Sequence, residues 1–251
     1  LTAYDTNERP PPKGGGLFPI CLMAVAGPDM VQYLRPMRRT LFAALLTCIP
    51  TANALAHPHI FVEVSMAVIF EGDAPAAVRL EWTYDDYFSL LLTTDLGIDL
   101  DGDATLTPQE ADILSEAVRA WPAGYEGDLE VSQAGRMIAL GFRTDHFATF
   151  EDGIVREVHT RPLTGQIDAV LPLIVRAFDP SHYVAYDVTG AITIEGRDGC
   201  SSALQSPDIA AASALVSDLL GGRSADDVGP DEAFPEVGDL FAQTVTITCS
   251  G

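Results

Sequence analysis

The sequence predicts an α+β fold: an antiparallel β-sandwich-like core, an inserted helix–loop–helix hairpin, and a C-terminal helix followed by a closing strand. Three observations predict it. Short runs rich in Val, Ile, Phe and Thr recur between residues 129 and 195 with turn signals between them, the spacing of strands in packed antiparallel sheets. Two earlier segments, 85–94 and 108–121, carry helical periodicity instead. A third helical pattern at 206–220 precedes a Gly/Asp/Pro-rich loop and a last β-rich run at 241–249.

Taken in order, the chain first offers Met37-Arg38-Arg39, an apolar stretch over 41–49 and Ala54-Leu55-Ala56. A charged start, a short apolar core and a small-residue cleavage site make 37–56 a secretory signal peptide. The apolar stretch is shorter than the ~20 residues that span a bilayer, so no membrane span is expected in the mature chain, 57–251. Residues 1–36 hold Pro and Gly clusters without periodicity and read as an upstream or disordered extension. Residues 59–70 alternate as a strand and 77–83 follow as its hairpin partner across the turn at 72–75. Thr107 caps the helix at 108–121, with Pro108 at its first position. Strands are expected over 129–132, 137–143, 147–151, 154–161, 169–177, 183–188 and 192–195. Ser206 and Pro207 open the third helix.

Residues 57–251 hold 33 Asp and Glu against nine Arg and no Lys, a formal charge of −24. That surface repels nucleic acid and anionic membranes and attracts cations. Cys200 and Cys249, an even pair in an exported chain, are expected to form a disulfide. No GxSxG, HExxH or phosphate-cradling Gly loop occurs, and no enzymatic role is expected.

Two constellations point to metals. Between the inserted helices, about 85–121, Asp99, Asp101, Asp103 and Glu110 fall at positions 1, 3, 5 and 12 of a loop, with Thr105 at the carbonyl-donating position 7. This is EF-hand-like Ca²⁺ spacing. Ala104 stands where that loop wants glycine, because the turn there needs a left-handed backbone; weakened Ca²⁺ binding is expected. The second constellation is His57-Pro58-His59 directly behind the cleavage site. Cleavage after Ala56 would free an amine beside two imidazoles, a chelating set for Zn²⁺, Ni²⁺ or Co²⁺. His146 is ranked as a third ligand. His159 lies on the next predicted strand, so the two could pair across the hairpin turning at Asp152-Gly153.

His57-Pro58-His59-Ile60-Phe61-Val62, the run from Leu80 to Ser89, the acidic loop ending at Glu110, Asp179-Pro180-Ser181-His182-Tyr183, and Gly238-Asp239-Leu240-Phe241-Ala242 before Cys249 together resemble domain of unknown function family 1007. Its members are exported proteins labelled as periplasmic components of uncharacterised ABC-type transport systems. They are commonly encoded beside NicO-type nickel/cobalt transporters, with relatives linked to zinc uptake. The resemblance implies a periplasmic metal-binding accessory partnered with a membrane transporter, and it carries over no catalytic residue. Two other readings stay open: a Ca²⁺-stabilised interaction module without a transition metal, and a copper-dependent oxidase using an N-terminal histidine.

Overall fold

The computed structural model describes residues 58–229 and 232–250. The expected extension 1–36, the signal peptide 37–56 and His57 lie outside them. The chain opens with the long hairpin β1 (Ile60–Glu71) and β2 (Ala74–Tyr84), then α1 (Asp86–Leu96) and α2 (Pro108–Arg119). β3 (Leu129–Gln133), β4 (Arg136–Met137), β5 (Thr144–Glu151), β6 (Ile154–Pro162), β7 (Leu173–Ala177), β8 (Val184–Asp187), β9 (Ile192–Glu195) and β10 (Cys200–Gln205) follow. α3 (Ile209–Leu219), the single turn α4 (Gly238–Phe241) and β11 (Thr244–Cys249) complete it.

These strands form two sheets. One runs β5-β6-β2-β1-β8 with β9 also on β1, and the other runs β10-β11-β7-β3-β4. The core lies between them because the inward phases of β1, β2, β3, β7 and β11 are mostly apolar. Val62, Val64, Met66 and Val68 of β1 and Val78, Leu80 and Trp82 of β2 face Val131, Leu173, Val175, Val245 and Ile247 of the second sheet. The β1–β2 register sets Val64 opposite Trp82 and Met66 opposite Leu80, so these residues share one face.

The two inserted helices pack over the β5–β6 end through Leu114, Ile98, Val155 and Ala148. Asp85 caps α1, accepting from the Phe88 amide at 2.7 Å, and its other oxygen accepts from the Phe61 amide at 2.8 Å. One aspartate thus fixes both the helix start and its angle to β1. α2 starts with a reciprocal capping box between Thr107 and Glu110. Ser89 ties α1 to β6, its hydroxyl accepting from the buried Val155 amide at 3.0 Å.

The α+β class holds, but four local expectations are corrected. The first sheet is mixed, since β8 and β9 both run parallel to β1. Strand direction depends on a partner more than 100 residues away, which local periodicity does not encode. The run at 137–143 shrinks to a two-residue strand plus an isolated bridge between Leu140 and Leu163, as Gly141 turns to donate its amide to Pro162. Asp208, not Ser206, caps α3, accepting from the Ala211 amide. The edge strand β10 was not expected. Its CSSALQ sequence is exposed and hardly alternates, and it is held by pairing to β11 and by the Cys200–Cys249 disulfide.

Candidate metal centre

β6 carries the centre. Its inward phase runs Val155, Glu157, His159, Arg161, so three polar side chains enter the interior where β1 and β2 present only apolar ones. Glu157 lies opposite Trp82 and His159 opposite Leu80. The neighbouring strand β5 has a register break between Thr144 and Phe147, with Asp145 at φ 50°. A bulge of this kind re-aims side chains and is frequent beside functional sites. Here it delivers His146, whose side chain is only 4 % exposed, against Glu157. Trp121, just past α2, closes the group: its ring stands edge-on to His146, His159 and Tyr125 and stacks over Trp82.

Ligand-capable atoms of His146, Glu157 and His159 all lie within 4.8 Å of one another. His146 Nε2 is 2.7 Å from Glu157 Oε1, and the Tyr84 hydroxyl donates to Glu157 Oε2 at 2.8 Å. Arg143 Nε donates to His146 Nδ1 at 2.8 Å, which leaves Nε2 to donate to Glu157. His159 differs from both. Its ring is fully buried, and among the described residues neither nitrogen has a hydrogen-bond partner. Its Nδ1 sits 3.6 Å from Glu157 Oε1, close enough to count as an ion pair by distance but beyond a hydrogen bond. Burial, with His146 and the guanidiniums of Arg161 and Arg143 adding to it, pushes this imidazole down to about 3. The ring is therefore neutral, the contact to Glu157 is not an ion pair, and an unpaired buried imidazole costs stability.

Two imidazoles and a carboxylate suit Zn²⁺, Ni²⁺ or Co²⁺. Ligands at the usual ~2.0–2.1 Å sit roughly 3.3 Å apart around a tetrahedral ion. His159 Nδ1 stands 3.6 Å from Glu157 Oε1, near that spacing, whereas the 2.7 Å contact between His146 and Glu157 would have to open by about half an ångström. Coordination through His146 Nε2 moves its proton to Nδ1, so the Arg143 guanidinium has to turn away. The residues fit an ion once the His146–Glu157 bond opens and Arg143 turns away.

The sequence-predicted ligands separate in space. His146 joins Glu157 and His159. His59 stands exposed at the start of β1 with its ring 4.7 Å from that of Tyr183. Among the described residues it belongs to no cluster of three or more metal-capable side chains. His57 lies outside the described residues. Glu157 was missed, although the i, i+2 phase of Glu157 and His159 with Val155 was readable as an inward polar face.

The acidic loop forms the other cluster, with carboxylate oxygens of Asp99, Asp101 and Asp103 within 4.8 Å of one another. Ala104 sits at φ 59°, the left-handed backbone expected of that position, and its amide donates to Asp99 Oδ1 at 3.1 Å. The Thr105 amide donates to Asp103. Glu110 points elsewhere: Oε1 accepts from the Asp99 amide and Oε2 from the amide and hydroxyl of Thr107.

A half-buried carboxylate lies beyond Tyr125. Asp128 Oδ2 accepts from the hydroxyls of Tyr125 at 2.9 Å and Tyr186 at 2.8 Å. Burial raises its carboxyl to about 6 against the lowering effect of both tyrosines.

No curated protein and no solved structure matches this chain. Its sequence matches, over residues 42–249, the family described as Protein of unknown function (DUF1007), and the chain belongs to that family.

Proposed function

We propose that the protein is an exported, non-catalytic binder of a divalent transition-metal ion, held by His146, Glu157 and His159, and that it serves a membrane metal transporter of the NicO or ABC type. One observation carries the binding part: a neutral, fully buried imidazole with both nitrogens unpaired, next to a carboxylate and a second imidazole. An ion supplies the partner that His159 lacks. The net negative surface favours cation capture, and the Cys200–Cys249 disulfide supports an oxidising compartment such as the periplasm. The transporter part rests on the family resemblance. The amine–imidazole set of His57 and His59 is the competing ligand set.

Calorimetric titration of chelator-treated protein with Zn²⁺, Ni²⁺ and Co²⁺ tests this. Tight one-to-one binding is expected, lost in His146→Ala and His159→Leu and kept in His59→Ala. Loss in His59→Ala with retention in the other two would move the ion to the amino terminus.

A second reading concerns the 99–110 loop, favoured by the three converging carboxylates and the left-handed Ala104. It is a weak Ca²⁺ clip, completed when Glu110 leaves the Thr107 cap. A Ca²⁺-dependent rise in melting temperature that Asp101→Asn removes supports it; no rise at millimolar Ca²⁺ discards it.

A further inference from the structure

Beside the histidine centre, and separated from it by Trp121 and Tyr125, lies an open cleft of about 680 Å³. That is within the usual range for small-molecule sites, ~300–1,000 Å³. Its walls are apolar: Pro122, Leu129, Met137, Phe178, Pro180 and Val184. Met137 is 61 % exposed at its edge, a large apolar side chain without cover. Among the described residues, four carboxylates and no Lys, Arg or His line it.

Three of those carboxylates are already engaged. Glu126 pairs with Arg161, and Glu130 pairs with Arg176. Asp179 accepts from the amides of Ser181, Tyr183 and Val184. Asp128 is different. Both tyrosine hydroxyls converge on Oδ2, and among the described residues no hydrogen bond reaches Oδ1. Its backbone is held at φ 48° behind Gly127 at φ 82°, and its carbonyl is pinned by the Phe178 amide at 2.9 Å. Such conformations cost energy and cluster at ligand sites. The two tyrosines fix the carboxylate plane, so a ligand meets a preset anion rather than a mobile one. Tyr125 and Phe178 both line the cleft, and the Phe178 ring already carries the Arg176 guanidinium at 5.1 Å.

We infer that this cleft binds a small organic amine, its ammonium on Asp128 Oδ1 and its apolar body against Met137, Phe178 and Leu129. The Asp128 carboxylate, which no arginine pairs, disfavours carboxylate and phosphate ligands, and the apolar walls disfavour a bare hydrated ion. The inference stands apart from the metal centre, because none of its residues is a metal ligand.

The probes are 2-phenylethylamine, its neutral analogue 2-phenylethanol and its anionic analogue 3-phenylpropionate, each titrated by calorimetry into the full chelator-treated protein at pH 7.5. The amine is expected to bind at least tenfold tighter than the alcohol, and the anion not to bind. Asp128→Asn should remove that preference. Met137→Trp, which fills the exposed edge of the cleft and leaves Asp128 intact, should weaken amine binding at least fivefold. Equal binding of amine and alcohol, no binding of the amine, or full amine affinity in Met137→Trp would each overturn the inference.

Discussion

Replacing Asp128 with Asn tests the electrostatics of the interior directly. The carboxyl titrates near 6 in the fold and at 3.8 as an ordinary aspartate. The folded state therefore holds a proton at pH values where the unfolded chain has released it. Stability from this group is fully present below pH 3.8 and is lost as pH rises through 6. At about 1.4 kcal/mol per pH unit this gap is worth about 3 kcal/mol, and water in the cleft trims it toward about 2 kcal/mol. Asparagine keeps the shape, still accepts from both tyrosines and does not titrate. Urea unfolding in chelator, with the disulfide intact, is run for both proteins from pH 4 to pH 7.5. The stability of wild type minus that of Asp128→Asn should fall by about 1.5–2.5 kcal/mol across that range. A pH-independent difference, or one that rises with pH, would refute the assignment of a desolvated carboxyl held up by burial.

The other predictions concern single side chains. His159→Leu in the metal-free protein should be neutral or stabilising by up to about 2 kcal/mol, since it removes an unpartnered buried polar ring, yet it should abolish any Zn²⁺-induced rise in melting temperature; thermal melts with and without Zn²⁺ read both effects. A Cβ at Gly127, where φ is +82°, would lie 2.4 Å from the Trp121 ring, so Gly127→Ala should cost about 2–4 kcal/mol and alter tryptophan fluorescence. Ala104→Gly relieves a left-handed alanine and should stabilise by about 0.5–1 kcal/mol after the entropy cost of glycine, with tighter Ca²⁺ binding if the loop holds that ion. Reducing Cys200–Cys249, which closes a span of 49 residues, should cost about 4 kcal/mol by loop entropy, measured as a lower urea midpoint.

Much of this architecture was legible because local chemistry determined it. Alternation in β1 placed Val62, Val64 and Met66 inside, and Thr107-Pro108 marked the start of α2 to the residue. The centre was half legible. His146 and His159 were close enough in the predicted hairpin to pair, but the value of His146 depends on a bulge that sequence periodicity does not announce. Glu157 looked like one more acid in a chain rich in them. Its phase with Val155 and His159 was readable, but its partners come from seating β6 against β2, which sets Glu157 beside Trp82 and under the Tyr84 hydroxyl. The parallel pairing of β8 and β9 and the polar edge strand β10 were illegible for the same reason, since each is defined by a distant partner.

The proposed transition-ion site lies between β5 and β6. Crystals of the chelator-treated protein reloaded with one equivalent of Zn²⁺, measured at the zinc absorption edge, locate the ion without assumption. A single strong anomalous peak is expected about 2 Å from His159, Glu157 and His146 Nε2, with the Arg143 guanidinium turned away from Nδ1. A peak at His59 or among Asp99, Asp101 and Asp103, with the His146–Glu157 hydrogen bond intact, would contradict it.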